Sequence, residues 1–433
     1  MTTENTSPRH PMSWVPTLYL AEGLPFYAVA LVASLMYKSM GVANDQIAYW
    51  TGLITFAWVF KSLWSPFLEA ASSKKFLVVL FQLIGGVCLG LVALSLHLPT
   101  YFAVSIALLG LVSISAATHD IAADGLYIAS LSNKQQAAYA GWQGAFFNAG
   151  KFISLGGLVV LAGHLEKTMP PAQAWAIIFG ILASMMITLA LYHSWALPGT
   201  KNTNTDASMR SVFTTLLDVI ITFFKKPGIW LAIIFILLFR VGEGQIQTIG
   251  PLFLRDAKEL GGLGLSTSEV GGVYGTAGTI AFLGGSVLGG YFASWLGLKR
   301  SLPWLILAMN LPNAVFFFLS ANQPDNLAII ATALSFEMFG YGFGFVGLIL
   351  FMMQVIAVGK YQTAHYALAT GIMQLGLVIP KMVSGSIQMS LGYKNFFIWV
   401  LISAIPVLLM SRLLVIKTPT SSAGKPNANP IEV

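Results

Sequence analysis

Long unbroken apolar blocks constrain this chain more than any other feature. Residues 76–96, 175–195 and 396–416 are three of them, and each matches the roughly 20 residues a helix needs to cross a hydrocarbon core of about 30 Å. In lipid only α-helices and closed barrels satisfy every backbone group, and barrel strands would read as alternating segments of about 10 residues. The blocks here are continuous, so the expected fold class is all-α integral membrane. Charge points the same way. Asp, Glu, Lys and Arg supply 9% of the 433 residues, against roughly 25% in an ordinary soluble domain, too few to cover a water-facing surface. The lone cysteine, Cys88, lies inside an apolar block, which excludes a disulfide framework or a cysteine-based metal site. The polar stretch 1–11 precedes a block too long for a signal-peptide core, so no cleavable signal is expected.

Twelve transmembrane spans are expected near 13–37, 48–68, 76–97, 101–128, 137–161, 172–195, 229–253, 268–296, 302–319, 327–357, 364–389 and 395–416. The longest connector divides the chain into an N-terminal six-helix half (1–197), a cytoplasmic linker (198–228) and a C-terminal six-helix half with its tail (229–433). With the N-terminus inside, fourteen basic residues face the cytoplasm, Lys74, Lys75, Lys201, Lys299, Arg300 and Lys425 among them. Five face out, including Lys38 and Lys258, and four fall within spans. That asymmetry predicts both termini in the cytoplasm. It also accounts for the formal charge of +7, so no nucleic-acid partner is expected. Within the linker, Phe213, Leu216, Leu217, Ile220, Phe223 and Phe224 recur at helical spacing between basic ends, predicting a helix over 210–226 that lies along the interface and tethers the halves.

The halves carry traces of an internal repeat. Ala21-Glu22-Gly23 answers Gly242-Glu243-Gly244. Tyr139-Ala140-Gly141-Trp142 answers Tyr366-Ala367-Leu368-Ala369, and Lys134 answers Lys360, at offsets of 221 to 227 residues. Such self-similarity marks two-half secondary transporters with parallel repeats about the membrane normal. The loop from Ser65 to Lys75 and its counterpart from Gly290 to Arg300 resemble the signature of the major facilitator family, with Glu69 in the acidic place and a basic pair closing each loop. The resemblance implies a major facilitator fold.

Ionisable side chains at membrane depth are costly, so each needs a partner or a task. The acids are Glu22, Asp120, Asp124, Glu243 and Glu337; the bases are Lys61, Lys151, Arg240 and Lys381, with His119 and His365 as further titratable groups. Asp120 and Asp124, one turn apart, share a helix face. Their mutual repulsion offers a route to carrying a proton, with Lys61 and Lys151 as the bases that would neutralise them. Asp120, Asp124, Lys61 and Glu22 are therefore the expected proton-coupling or gating residues. Arg240 and Glu243 are placed to neutralise each other. Glu22, beside Gly23 and Pro25, and its repeat mate Glu243 sit where Gly or Pro loosens a helix. With Arg240, Lys151, Glu337, Lys381 and Trp142 they form the expected substrate set. Glu337 is read as a partner for Lys381 or a gate, and Trp142, Phe146, Phe147, Tyr274 and Tyr341 as sugar-stacking rings. These charges scatter over seven spans, as a central cavity requires, and do not converge as an enzyme's site would. No enzymatic activity, cofactor or metal is expected.

Phe60-Lys61-Ser62-Leu63-Trp64-Ser65-Pro66 resembles a signature of the AmpG-type permeases. Ser113 to Asp124 is similar to that family's fourth-span motif, with His119 in place of its Gln. Phe336-Glu337 and Gln362-Thr363-Ala364-His365-Tyr366 are similar to further segments of these permeases, which sit beside acetyl-CoA and siderophore importers. The resemblance covers most of the chain and carries Lys61, Asp120 and Asp124 over by position; Glu22 is not part of its pattern. It implies a proton-coupled transporter of the bacterial inner membrane, a monomer, importing peptidoglycan-derived muropeptides or related amino-sugar saccharides. The alternative is a siderophore importer or small-molecule exporter of the same fold. Solute, protons and the lipid bilayer are its expected partners.

Overall fold

The computed structural model describes residues 10–69, 73–199, 209–359 and 361–414. Among them the chain is helical throughout, with no strand. Ten helices are long and apolar enough to cross a membrane. They are α1 (Pro11–Ser39), α4 (Lys74–Ser95), α5 (Tyr101–Ser130), α6 (133–165, apolar from Trp142 to Leu165), α7 (Pro171–Ala196), α9 (Ile229–Arg255), α10 (Thr267–Leu296), α11 (Leu298–Asn322), α12 (Leu327–Ile356) and α13 (Ala364–Ser411). Between α1 and α4 lie two shorter helices, α2 (Asn44–Ile54) and α3 (Phe56–Glu69), which meet at Thr55. The 48-residue α13 is broken at Gly392, whose φ of 71° lies in the left-handed region that glycine adopts without a Cβ penalty. The expected linker helix is present as α8 (Met209–Phe224). Lys134 and Lys425 lie outside what is described, the first for its side chain only, as do Lys201, Lys360 and Ala70–Ser72 of the signature loop.

Local chemistry sets the ends and breaks. Ser132 and Ser266 open α6 and α10 as reciprocal capping boxes with Gln135 and Glu269. Pro25 cannot donate to the helix ladder, and three residues beyond it α1 widens into a π-turn over Ala28–Val32. Wide turns recur over Phe152–Leu158 in α6 and Gly271–Ala277 in α10, and those two segments pack on each other.

Helices that share a side of the molecule pack as α4 on α5 and α7, α1 on α6, α10 on α12, α11 on α12 and α9 on α13. Elements before residue 197 meet those after 229 chiefly where α2 lies on α13 and α6 on α10. Lipid tails are as apolar as leucine, so close backbone approach has to supply much of this association. Glycine supplies it. A Cβ on Gly275 would lie 2.2 Å from the Leu155 carbonyl oxygen, one on Gly163 2.1 Å from the Ser268 nitrogen, and one on Gly385 2.5 Å from the Asn44 carbonyl oxygen. Large apolar side chains such as Leu94, Trp195, Trp230 and Trp295 remain on the outer surface, as a lipid-facing shell requires. The loops joining α1 to α2, α4 to α5, α6 to α7, α9 to α10 and α11 to α12 all lie at one end of the bundle, called here the upper end. Linker helix α8 lies at the lower end. There the Tyr361 hydroxyl donates to Asp218 at 2.6 Å, and Lys226 donates to the Val358 carbonyl at 2.8 Å. Val219 and Phe223 are buried, while Leu217, Ile221 and Phe224 face outward.

The α6–α10 contact should fail when it is forced apart. Gly275→Val would drive two branches into the Leu155 backbone, and overpacking alone costs about 1–3 kcal/mol. Gly284, on the same helix with nothing near its Cβ position, should accept Ala. Thermal unfolding of purified protein in detergent should show a clear drop in midpoint for Gly275→Val and almost none for Gly284→Ala. Equal midpoints would remove the contact from the structure's supports.

Candidate functional site

Two charged clusters occupy the interior, and each grows from the glutamate-glycine step the sequence repeats. In α1, Gly23 presses on α6, its Cβ position 2.3 Å from the Phe147 carbonyl oxygen. In α9, Gly244 presses on α13 in the same way, 2.4 Å from the Leu377 carbonyl oxygen. Only glycine permits either approach, so the preceding glutamate in each helix is held beside a helix crossing rather than turned to lipid.

The first cluster gathers Glu22 of α1 with Asp120 and Asp124 of α5. Oxygens of the three carboxylates lie within 4.8 Å of one another. Lys61 of α3 forms an ion pair with Asp120 and feels the charges of the other two. The Tyr19 hydroxyl donates to Asp124 at 2.8 Å and itself receives a hydrogen bond from Gln143 at 2.6 Å. Oε2 of Glu22 is buried without a hydrogen-bond partner. Asp120 is buried, Glu22 half-buried and Asp124 exposed, so water reaches this cluster from one side. The helical spacing of Asp120 and Asp124 and the Lys61 pairing are as expected. Lys151 is not the second base: its ammonium lies 5.1 Å from the centre of the Phe282 ring in α10, and Tyr19 takes its place at Asp124.

The second cluster centres on Arg240 and Glu243 of α9, which form the expected pair in bidentate fashion at 2.7 and 2.5 Å. Gln374 of α13 accepts from Arg240 at 3.1 Å, Gln247 donates to Glu243 at 3.1 Å, and the guanidinium lies 5.2 Å from the Phe345 ring centre. Glu243, Gln247, Tyr274, Asn313, Glu337 and Tyr341 surround a small cavity with about 10 Å³ free, roughly one water's worth. Oε2 of Glu337 is buried there without a partner. Lys381 is also deeply buried, 2% exposed. Its partner is the Ala30 carbonyl of α1, at 2.9 Å, within the π-turn over Ala28–Val32, and not Glu337. Trp142 is 40% exposed and its ring tilts against Phe146.

Two groups escaped the sequence. At the upper end, Lys38 pairs with Asp256 at 2.5 Å. Asn44 donates to Asp256 and Gln388 at 3.1 and 3.0 Å, and the Tyr393 hydroxyl donates to Asp256. This network ties α1 and α2 to α9 and α13. These residues read as ordinary loop polarity, because nothing local links positions more than 200 residues apart. Inside the bundle, Gln82 lies between His119 at 2.9 Å and His193 at 2.8 Å, and His193 reaches Thr17 at 3.0 Å. His119 thus belongs to a buried polar string, whereas His365 reaches the Val219 carbonyl of α8 at the lower end.

A helical membrane bundle with charges lining its interior is the architecture of a carrier. The Major Facilitator Superfamily profile matches residues 17–384, and the chain belongs to that superfamily of transporters. Within it, the chain resembles the AmpG-type permeases. It is 24% identical over 399 residues to the anhydromuropeptide permease of Escherichia coli (strain K12), covering 91% of this chain and 77% of that one. It is 22% identical over 405 residues to transporter AmpG 4 of Rickettsia conorii, covering 90% and 93%. The solved nucleoside transporter NupG superposes with a TM-score of 0.67 at 16% identity, over 93% of this chain and 97% of that one. A D-xylose-proton symporter does so with 0.67 at 10%, over 92% and 96%. At such identities these two likenesses concern the fold alone. The relatives are permeases and transporters, not enzymes.

The Lys61–Asp120 pair predicts a specific mutational pattern. Removing Lys61 leaves three neighbouring carboxylates without their cation, a cost that its partial exposure reduces, whereas removing Asp120 alone leaves Lys61 with Glu22 and Asp124. Lys61→Met should therefore lower the amount of folded protein in the membrane most, Asp120→Asn less, and the double substitution should fold better than Lys61→Met alone. Fluorescence size-exclusion of the three variants checks this; a double variant no better folded than Lys61→Met would mean the pair does not act as a unit.

Proposed function

We propose that this chain is a proton-coupled secondary transporter of the inner membrane that imports peptidoglycan-derived muropeptides or related amino-sugar saccharides by alternating access. The observation that carries the coupling is the sharing of one ammonium, Lys61, by Glu22, Asp120 and Asp124. One cation neutralises one carboxylate. The other two repel at a few ångströms where Coulomb energies are large, and a bound proton relieves that repulsion. Loading and unloading of this proton, with the Lys61–Asp120 pair breaking or reforming, supplies the step that drives the solute. The substrate class follows the E. coli relative, itself an anhydromuropeptide permease.

In this reading the chain crosses the membrane twelve times. Helices α2 and α3 make one crossing between them, and the two limbs of α13 on either side of Gly392 make two. The halves are 1–197 and 229–433, joined by 198–228, and the protein works as a monomer. Both termini are cytoplasmic, which makes the upper end periplasmic. The Lys38–Asp256 network is then the closed outer gate, and exposed Asp124 faces the cytoplasmic side. Glu22, Glu243, Arg240, Lys151, Glu337, Lys381 and Trp142 form the solute path.

Uptake into proteoliposomes tests the coupling. An inward-directed proton gradient should concentrate an anhydro-muramic disaccharide peptide, and a protonophore should abolish the accumulation. Glu22→Gln should cut accumulation about ten-fold or more at normal protein abundance, an effect of about 1.4 kcal/mol per decade. Accumulation that ignores the gradient would sink proton coupling, and undiminished uptake in Glu22→Gln would reduce that residue to packing. For the orientation, a reporter fused after Lys201 or Lys425 should read cytoplasmic and one within 98–100 periplasmic; the reverse pattern would invert the assignment.

A further inference from the structure

Two buried ionisable side chains, Lys151 and Glu337, form no ion pair among the described residues. Lys151 of α6 is buried, with its ammonium over the Phe282 ring, and donates no hydrogen bond among the described residues. Glu337 of α12 is 4% exposed, and its Oε2 has no hydrogen-bond partner. Each feels the other's charge, yet they form no ion pair, unlike Lys61 with Asp120 or Arg240 with Glu243. The Phe282 ring under Lys151 lies 4.9 Å from that of Tyr341, which lines the small cavity together with Glu337. Lys151 also sits as far from Lys381 in sequence as Phe147 does from Leu377. The two lysines therefore hold matching places on α6 and α13, each just beyond the residue that meets a glutamate-glycine step. Lys381 has found a carbonyl, and Lys151 has found only a ring.

An unpaired ion at this depth is costly, and the cost falls when a ligand supplies the missing partner. A carboxylate would satisfy Lys151 and an ammonium would satisfy Glu337, through charge-assisted hydrogen bonds stronger than those a sugar hydroxyl offers. A neutral saccharide satisfies both only weakly, and a singly charged solute leaves one stranded. We propose that Lys151 and Glu337 clamp a zwitterionic amino-acid group, a free amine beside a free carboxylate, carried on the peptide of the transported solute. The cavity beside Glu337 holds about 10 Å³, so the clamp receives its ligand when this space widens and draws α6 and α12 together as it closes. The inference rests on the proposed function only for the sugar to which the peptide end is attached.

Binding to the purified full-length protein, by calorimetry, separates the two ideas. The probes are an anhydro-muramic disaccharide with and without a peptide that bears both a free amine and a free carboxylate, dialanine, and dialanine capped at both ends. Wild type should prefer the peptide-bearing disaccharide over the bare one, and dialanine over its capped form, each about ten-fold or more. Glu337→Gln and Lys151→Met should bring both preferences to about one, and Lys151→Arg should keep them. If wild type binds both disaccharides equally, the clamp is overturned while the saccharide reading stands. If neither disaccharide binds but free dialanine is preferred and Glu337→Gln loses that preference, the clamp stands and the saccharide reading falls. Absence of every preference in wild type refutes the clamp, whatever the folding of the variants.

Discussion

The interior of this protein depends on the cost of keeping charge where water is scarce. At membrane depth a carboxylate is tolerated only beside a cation, a donor or a proton, and the structure meets that demand unevenly. Arg240 and Glu243 satisfy each other fully, with Gln247 and Gln374 completing the shell. Lys61 must serve three carboxylates, and Tyr19 can help only one of them. The second cluster is thus fully paired and the first is not, which is why the proposed coupling role is placed on the first and a holding role on the second.

Close helix packing makes both clusters possible. Glycine lets α1 lie against the α6 backbone and α9 against that of α13, and the same contacts aim Glu22 and Glu243 inward. At the α6–α10 and α2–α13 contacts, glycines again carry the association between the early and late parts of the chain. Such joints rest on close backbone contact, which suits the rocking that the proposed alternating access requires. The polar network of Lys38, Asn44, Asp256, Gln388 and Tyr393 latches the upper end of the same seam with hydrogen bonds that water can replace.

Much of this was legible in the amino-acid order. Block length and the scarcity of charge decided that the chain is a helical membrane protein, because the hydrocarbon core admits no other reading of continuous apolar runs. The loop signatures and the Lys61 and Asp120–Asp124 motifs pointed to the major facilitator superfamily and the AmpG-type permeases. Helical spacing alone put Asp120 with Asp124 and Arg240 with Glu243, since partners within a turn or so of one helix need no tertiary information to meet.

Tertiary structure decided the partners that lie on different helices. Sequence could not show that Asp124 would be served by Tyr19 and not Lys151, that Lys381 would cap Ala30 and not meet Glu337, or that Lys38 would find Asp256. In each case the choice depends on which faces of two distant helices meet and at what height. That is set by glycine contacts and widened turns whose effect on rotation and rise appears only when the helices are packed. The sequence determined which charges had to be buried; the packing determined which of them would be left wanting a partner.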